Sequence, residues 1–421
     1  MSSNRRKPFS HKQKKQQLLE KRRRDQSQPR QHQLNDELTS EEVACRATEQ
    51  SRSAGFVRIF LPESQDDVDK AKAEAQLPLA SHVRPFPQLS LFLDPEYCPD
   101  LPPRPSWTYE TTAEELHRSE EHHFSEWLCS LATKVEDEKL TFKNLSYFET
   151  NLDAYRQLWR ATERGQVICI CLDARIPLAH CPVSVIRYIR FVLKKPFIFA
   201  MNKGDLATQQ HINNWKQYLM ETYSECAGIF VFGIKDHIES GTEAQQFLSF
   251  IDELAIASDE VTVTFIGQPS VGKSSLMNRL VGKKVTGTKR TPGTTKYFQT
   301  YYLRKDSGAL PNVVLCDAPG IVFPVKTTYR SVQIVCGVVP IGRVREFFSS
   351  LRFLWEHCHG FKEQLGLSSL EGHTPYSVLE ELAEKRGFLG KGGRVDVHRI
   401  GQQILRDVID GKFVFMIDQP I

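Results

Sequence analysis

The sequence predicts a chain in three parts, which are a basic N-terminal arm, an α/β domain and a mainly helical C-terminal domain. Short apolar runs rich in β-branched residues have the composition of buried strands. They lie at 167–172, 197–201, 229–232, 261–266 and 313–316, with an edge strand predicted at 297–303. Helical stretches separate several of these runs, which favours a mostly parallel sheet. After about residue 327 the pattern becomes helical.

Local start signals support several of the predicted helices. Thr112-Ala-Glu-Glu115 has the pattern of a capping box, and Thr374-Pro375 has the pattern of an N-cap followed by the first helical residue. A second N-terminal helix is predicted from one apolar stripe formed by Phe148, Leu152, Tyr155 and Trp159. A short strand is predicted at 413–417.

The positive charge is concentrated at the N-terminus. The 421-residue chain has a formal net charge of +4, but residues 1–30 contain eleven Lys/Arg and two Asp/Glu, so the remainder is acidic. Such an arm cannot bury a core, so we expect it to be largely disordered. Nuclear targeting and contact with RNA phosphates are the functional interpretations, and a solvated charge run is the alternative.

The expected boundaries follow these changes in composition. They are 1–60 for the arm, 61–105 for a Pro-rich linker, 106–325 for the α/β domain with its N-terminal helices, and 326–421 for the helical domain. The chain has no run of roughly 18 apolar residues, which a membrane helix would need. We therefore expect no membrane association.

The segment Gly267-Gln-Pro-Ser-Val-Gly-Lys-Ser-Ser275 follows a predicted strand and precedes a predicted helix. It matches the phosphate loop, in which glycines let backbone N–H groups point at phosphates. Lys273 would contact the β/γ oxygens and Ser274 would bind Mg²⁺. A chance glycine-rich turn is the alternative. The candidate contacts are Gly267, Gln268, Pro269, Ser270, Val271, Gly272, Lys273, Ser274 and Ser275.

A second motif, Asn202-Lys-Gly-Asp205, follows the strand at 197–201 and indicates guanine recognition. Asp205 can accept hydrogen bonds from the N1–H and N2–H₂ donors of guanine, a donor pair that adenine lacks. Asn202 suits the O6/N7 side of the base, and the stem of Lys203 can cover its face. Gly204 completes the predicted contact set. The tetrapeptide alone is a weak signal, but beside a phosphate loop it is a strong one.

A third motif, Asp317-Ala-Pro-Gly320, ends the predicted strand at 313–316. Asp317 can hold Mg²⁺ or its water, and the N–H of Gly320 can reach a γ-phosphate. Thr295, in preference to the neighbouring Thr294, is predicted to complete the metal shell with Ser274 and Asp317. The predicted nucleotide contacts here are Asp317, Ala318, Pro319 and Gly320, and the predicted catalytic residues are Lys273, Thr295 and Gly320. The alternative for each motif is a turn or cap.

The order of the motifs is permuted, because Asn202 precedes Gly267 instead of following it. With Leu172-Asp-Ala-Arg-Ile-Pro177 and Thr291-Pro-Gly-Thr-Thr295, the chain resembles the circularly permuted GTPases linked to large ribosomal subunit assembly. The resemblance extends from the arm to the C-terminus. It implies a circularly permuted Ras-like P-loop G domain that binds GTP and GDP with Mg²⁺ and hydrolyses GTP.

The resemblance also sets expectations about partners. It implies a preribosomal particle or rRNA, contacted through the basic arm and the C-terminal domain, and a monomer in the nucleus or nucleolus, with the cytoplasm as an alternative. Ser270 replaces the Asn of potassium-dependent relatives, so a K⁺ requirement is left open. Gly233-Ile-Lys235 replaces the usual Ser-Ala-Lys base loop. Ile321 lies where Ras-type enzymes have glutamine, which predicts slow intrinsic hydrolysis.

Two other functions remain open at the sequence level. The chain could be a nucleotide-dependent binding or scaffold protein with negligible hydrolysis. It could also be an ATPase or kinase that uses the same phosphate loop, although Asn202 and Asp205 argue against this alternative.

Overall fold

A computed structural model describes residues 65–80, 86–137, 146–233, 243–255, 260–284, 297–303, 312–326, 330–367 and 372–420. The basic arm, Thr295 and the residues after Gly233 in the predicted base loop lie outside the described residues. Within the described ranges, no helix is both long enough and apolar enough to span a membrane.

The described strands form one six-stranded sheet in the order β3-β2-β1-β4-β6-β5. Their bounds are β1 Val167–Asp173, β2 Phe197–Asn202, β3 Ile229–Phe232, β4 Glu260–Ile266, β5 Gln299–Leu303 and β6 Asn312–Asp317. All neighbouring pairs are parallel except β5 with β6, which are antiparallel at one edge. The mostly parallel sheet and the edge position of β5 are therefore confirmed.

Twelve α-helices accompany the sheet in the described part of the chain. Before β4 these are α1 Gln65–Ala75, α2 Ala113–Asp137, α3 Leu152–Arg164, α4 Val183–Arg187, α5 Gln209–Thr222 and α6 Glu243–Ala255. After β4 they are α7 Lys273–Val281, α8 Arg330–Val335, α9 Phe348–His357, α10 Phe361–Gln364, α11 Pro375–Lys385 and α12 Val397–Ile409. A π-helical turn, Tyr188–Leu193, extends α4.

The predicted helix starts are largely confirmed. The Thr112 hydroxyl accepts from the Glu115 N–H, and Glu115 accepts from the Thr112 N–H, so the capping box precedes α2. Thr374 forms a capping box with Ser377 at the start of α11. The stripe prediction placed Phe148 in a helix, but α3 begins after Asn151, whose side chain caps it. The predicted 413–417 strand is also wrong, since these residues form neither helix nor strand.

The sheet separates two hydrophobic clusters. One face packs against α6 and α7 through residues such as Cys169, Phe247 and Met277. The opposite face belongs to a larger cluster that also contains α2, α3 and the C-terminal helices α8, α9, α11 and α12. Because this cluster is continuous, the C-terminal helices share a core with the sheet, and their displacement would expose apolar surface.

The segment before α2 is more ordered than an extended linker. It contains α1 and a 3₁₀ turn, Pro87–Leu93, and the side chains of Phe86, Leu89 and Phe92 are buried. The Leu79 N–H donates to the His373 carbonyl at 2.8 Å, and Arg352 donates to the Leu77 carbonyl at 2.7 Å. These contacts fix the described part of 65–101 against the C-terminal helices.

Candidate functional site

The candidate site lies at the carboxyl edge of the parallel sheet. Asp173 is in register with Asn202, and Phe265 is in register with Asp317. Since parallel strands end at one edge, the phosphate loop after β4 lies between the motif that follows β2 and the motif that follows β6. The sheet therefore brings together three predicted motifs that are far apart in sequence.

The phosphate loop has the backbone that its glycines permit. Gly267 has φ 145°, and a Cβ there would lie 2.6 Å from the Cys171 carbonyl oxygen. Gly272 has φ 95° and immediately precedes α7. Successive N–H groups at a helix N-terminus favour an anion. A side chain at Gly267 would displace β1, so this position requires glycine for packing as well as for conformation.

Lys273, the first residue of α7, curls back over the loop. Its Nζ donates to the carbonyl oxygens of Gly267 and Gln268 at 2.9 and 2.7 Å, and the side chain is buried. The Gln268 side chain donates to the Ala179 carbonyl at 3.2 Å. Side-chain hydrogen bonds therefore hold the loop on both sides, and the ammonium group lies against the loop backbone.

Ser274 and Asp317 form the candidate metal site. The Ser274 hydroxyl donates to Oδ2 of Asp317 at 2.8 Å, while the buried Oδ1 has no hydrogen-bond partner among the residues that the structure describes. Burial raises the pKa of Asp317, and Lys273 and Ser274 only partly oppose that effect. Hard divalent cations such as Mg²⁺ prefer oxygen ligands. The orphaned carboxylate oxygen beside a hydroxyl therefore fits Mg²⁺.

Gly320 lies directly against the phosphate loop. A Cβ at Gly320 would lie 2.9 Å from the Pro269 nitrogen and 3.0 Å from Nζ of Lys273. The following N–H, of Ile321, donates to the Gly267 carbonyl at 3.2 Å, and the Ile321 side chain is only 1% exposed. The residue at the position of the Ras-type glutamine is thus packed inward.

The residues of Asn202-Lys-Gly-Asp205 have distinct environments. Asn202 is buried and donates to the Val271 carbonyl at 2.9 Å, which ties this motif to the phosphate loop. Lys203 has a left-handed backbone with φ 63°, and its Nζ lies 2.8 Å from Oδ2 of Asp173. Asp205 is exposed beside Gly233, where a base could reach its carboxylate.

Two features of the site were missed by motif reasoning. Asp173 and Arg175, which the sequence marked only through a resemblance, form a fully buried ion pair behind Lys203. Burial alone would raise the pKa of Asp173, but Arg175 and Lys203 hold that pKa well below its usual range. In addition, the Ser270 hydroxyl donates to the Gly337 carbonyl at 2.7 Å, which joins the phosphate loop to the segment after α8.

Comparison with known proteins gives several related chains. The family described as 50S ribosome-binding GTPase matches residues 262–347. Guanine nucleotide-binding protein-like 1 of Rattus norvegicus is 29% identical over 534 aligned positions, covering 99% of this chain and 86% of the relative. GTPase LSG1-1 of Arabidopsis thaliana is 30% identical over 364 positions, covering 74% of this chain and 66% of that relative.

Solved structures give a weaker likeness. The GNP-bound structure of YlqF from T. maritima is 21% identical, with a TM-score of 0.45, and the match covers 63% of this chain and 98% of that one. The family assignment therefore depends on the sequence relatives and on the motif order along the described sheet. With Asn202-Lys-Gly-Asp205 at the end of β2 and the phosphate loop after β4, this chain belongs to the circularly permuted GTPases.

Proposed function

We propose that this protein binds GTP with Mg²⁺ and hydrolyses it slowly to GDP and phosphate, as a switch or timer in large ribosomal subunit assembly. One observation supports this proposal most directly. The carboxylate of Asp317 has one buried oxygen with no partner in the described ranges, and it lies beside Ser274 and the phosphate loop, at the same sheet edge as Asn202 and Asp205. A triphosphate, a divalent cation and a guanine base each have suitable partners there.

In the proposed complex, the phosphate loop and Lys273 bind the phosphates. The Lys273 ammonium exchanges its bonds to loop carbonyls for bonds to β/γ oxygens, so little rearrangement of the side chain is needed. Asp205 accepts from guanine N1–H and N2–H₂, and Lys203 covers one face of the base. A site that hydrogen-bonds these donors rejects an analogue lacking them by about 10⁴-fold or more.

Ser274, Asp317 and Thr295 would hold Mg²⁺, which supplies positive charge next to the phosphate oxygens. Water attacks the γ-phosphorus in line, and the bond to the β/γ bridging oxygen breaks to give GDP and phosphate. Lys273 stabilises the charge that develops, and the N–H of Gly320 donates to a γ oxygen. Together with Thr295, these are the proposed catalytic residues.

The proposed slow rate follows from Ile321. Its side chain can neither donate nor accept a hydrogen bond, and it is buried. Loss of one positioned polar group typically costs about 10²–10³ in rate. A bound partner would then position the attacking water, and loss of the γ-phosphate would release the segment after Gly320 and change the pose of the C-terminal helices.

The ribosomal setting is proposed from the matched family, which is described as 50S ribosome-binding GTPase, and from the charge of the arm. A net positive segment binds RNA phosphates through counterion release, so its contribution falls with salt. The proposed protein is a monomer of the nucleus or nucleolus that engages a preribosomal particle through residues 1–60 and 326–421.

Single-turnover hydrolysis of GTP by the purified chain, with and without large ribosomal subunits, tests the proposal. We expect slow turnover alone and faster turnover with particles, and competition by GDP but not ADP. Fast turnover by the isolated chain would refute the timer. Binding without hydrolysis under both conditions would favour the scaffold alternative, and equal competition by ADP would favour the ATPase alternative. Deletion of residues 1–30 should reduce the salt dependence of particle binding without altering GTP affinity.

A further inference from the structure

A buried chain of charges runs behind the proposed base site. Asp173 accepts from Lys203 through Oδ2 at 2.8 Å, and from Arg175 through Oδ1 at 3.0 Å and Oδ2 at 2.8 Å. The side chains of Asp173 and Arg175 are both fully buried. One carboxylate therefore fixes two cations, and the position of Lys203 depends on where Arg175 holds that carboxylate.

Arg175 is held in turn by the C-terminal end of the chain. Its Nη1 donates to the Val408 carbonyl at 3.2 Å, and its guanidinium carbon lies 4.3 Å from the ring centroid of Phe415. The Ile417 N–H donates to the Arg175 carbonyl at 3.0 Å. We call residues 411–418 the C-terminal segment. It covers Arg175 and removes it from water.

The same segment contacts the elements that follow Lys203. Trp215 of α5 donates to the Ile417 carbonyl at 3.1 Å, and Nδ1 of His211 lies 3.4 Å from Oδ1 of Asp418. A Cβ at Gly411 would lie 2.7 Å from Cδ1 of Leu206, immediately after the guanine motif. The segment thus contacts side chains that follow the motif as well as Arg175 of the charge chain beneath it.

We propose that Asp173 and Arg175 are positioning residues for Lys203, and that docking of the C-terminal segment controls how long a guanine nucleotide stays bound. This inference rests on the proposed function of the site. A ligand of the C-terminal helices that lifts the segment acts as a release signal for the nucleotide, although it does not touch the nucleotide.

The physical reason is the cost of a buried charge whose partner moves. With Phe415 and Ile417 in place, Arg175 has a dry environment and its two bonds to Asp173 are strong. When the segment is lifted, water reaches the guanidinium and the pair loosens. Lys203 then loses its fixed partner, and its stem no longer has one defined position over the base.

The test is a double-mutant cycle on the release of a fluorescent GDP. Phe415→Leu removes the ring beneath the guanidinium but keeps an apolar side chain. We expect about tenfold faster GDP release in the wild-type background and no acceleration in the Lys203→Met background, because the coupling acts through Lys203. Phe413→Leu is the matched control, since Phe413 lies in the same segment but stacks under Arg386, 5.6 Å away.

Additive effects of Phe415→Leu and Lys203→Met would overturn the inference, and so would equal release rates for Phe415→Leu and wild type. If Phe415→Leu fails to fold, Arg175→Lys provides the second arm, because it keeps the cation but loses the two-pronged bond to Asp173. GDP release from the Arg175→Lys variant should also be accelerated only when Lys203 is present. A chain that binds no GDP at all would refute the proposed function instead, so the two failures can be told apart.

Discussion

Asp317→Asn should stabilise the nucleotide-free protein while weakening its binding of Mg²⁺ and GTP. Asp317 is fully buried, and within the described part of the chain only one of its oxygens has a hydrogen-bond partner. Burial raises the pKa of this carboxyl, so the ionised form is disfavoured in the folded state. Asparagine has the same shape, can still accept from Ser274, and carries no charge.

The magnitude follows from the groups involved. A buried unsatisfied polar group costs about 1–3 kcal/mol, and more when it is charged. Asparagine leaves a neutral amide group in place of the charged oxygen, so the net gain is about 1 kcal/mol. Because the unfolding entropy grows with chain length, this corresponds to a rise in Tm of about 1 °C for a chain of 421 residues. The loss of a charged ligand should weaken Mg²⁺-dependent GTP binding by about 1.5–3 kcal/mol.

The pH dependence has a defined sign. The pKa of Asp317 in the folded protein lies above the ordinary carboxyl value of 3.8, so the folded state favours the protonated carboxyl. The contribution of this group to folding stability is therefore fully present at low pH and is lost as the pH rises through the folded pKa. The advantage of asparagine should therefore be largest near pH 7 and should shrink toward pH 4.

Thermal unfolding without nucleotide and titration of GTP with and without Mg²⁺ provide the measurements. Ser274→Ala is the matched comparison, since it removes the hydrogen bond to Oδ2 of Asp317 while keeping the charge, and it should lower Tm. A lower Tm for Asp317→Asn at pH 7, or unchanged Mg²⁺ dependence of its GTP affinity, would refute the reasoning.

Three further substitutions or conditions test separate parts of the site. Asp205→Asn should weaken GTP strongly and improve binding of xanthosine triphosphate, which has a carbonyl at position 2; wild-type GTP affinity in this variant would show that the base site is misplaced. Lys273→Ala should cost about 3 kcal/mol in GTP binding measured by calorimetry, and an unaltered affinity would contradict the phosphate-loop assignment. Hydrolysis should be similar in K⁺ and Na⁺, because the Ser270 hydroxyl is already bonded to Gly337; strong acceleration by K⁺ would contradict this.

Local patterns were sufficient for the sheet and for the phosphate loop. Strand composition, the Gly-Lys-Ser spacing and the order of motifs are all contained in contiguous stretches, so they could be interpreted without tertiary contacts. The bond from Arg175 to the Val408 carbonyl spans 233 residues, and no local pattern encodes it. The contacts of Arg175 with the C-terminal part of the chain were missed for this reason.

The wrong strand at 413–417 has a different cause. Its alternating apolar residues do face inward, with Phe415 and Ile417 buried, but the backbone pairs with none of the described strands. Instead, the Val414 N–H donates to the Gln364 side chain, and the Val414 carbonyl accepts from the same side chain, both at 2.7 Å. An alternating pattern of apolar residues predicts that one side of a segment is buried. It does not specify which groups form hydrogen bonds with the backbone of that segment.

The permuted chain order has a mechanical consequence at the γ-phosphate side of the site. The segment that follows Gly320 is bonded to residues before α3, because the Glu149 N–H donates to the Val322 carbonyl and the Ser146 N–H donates to the Val325 carbonyl, both at 2.9 Å. A few residues later the chain enters α8, and Gly337 beyond it accepts from Ser270 of the phosphate loop. The chain after Gly320 is therefore held at two places, at Val322 and Val325 by residues before α3 and at Gly337 by Ser270. The second of these places lies among the C-terminal helices. Since they also share a core with the sheet, they should move as a packed unit and not as a freely tethered domain.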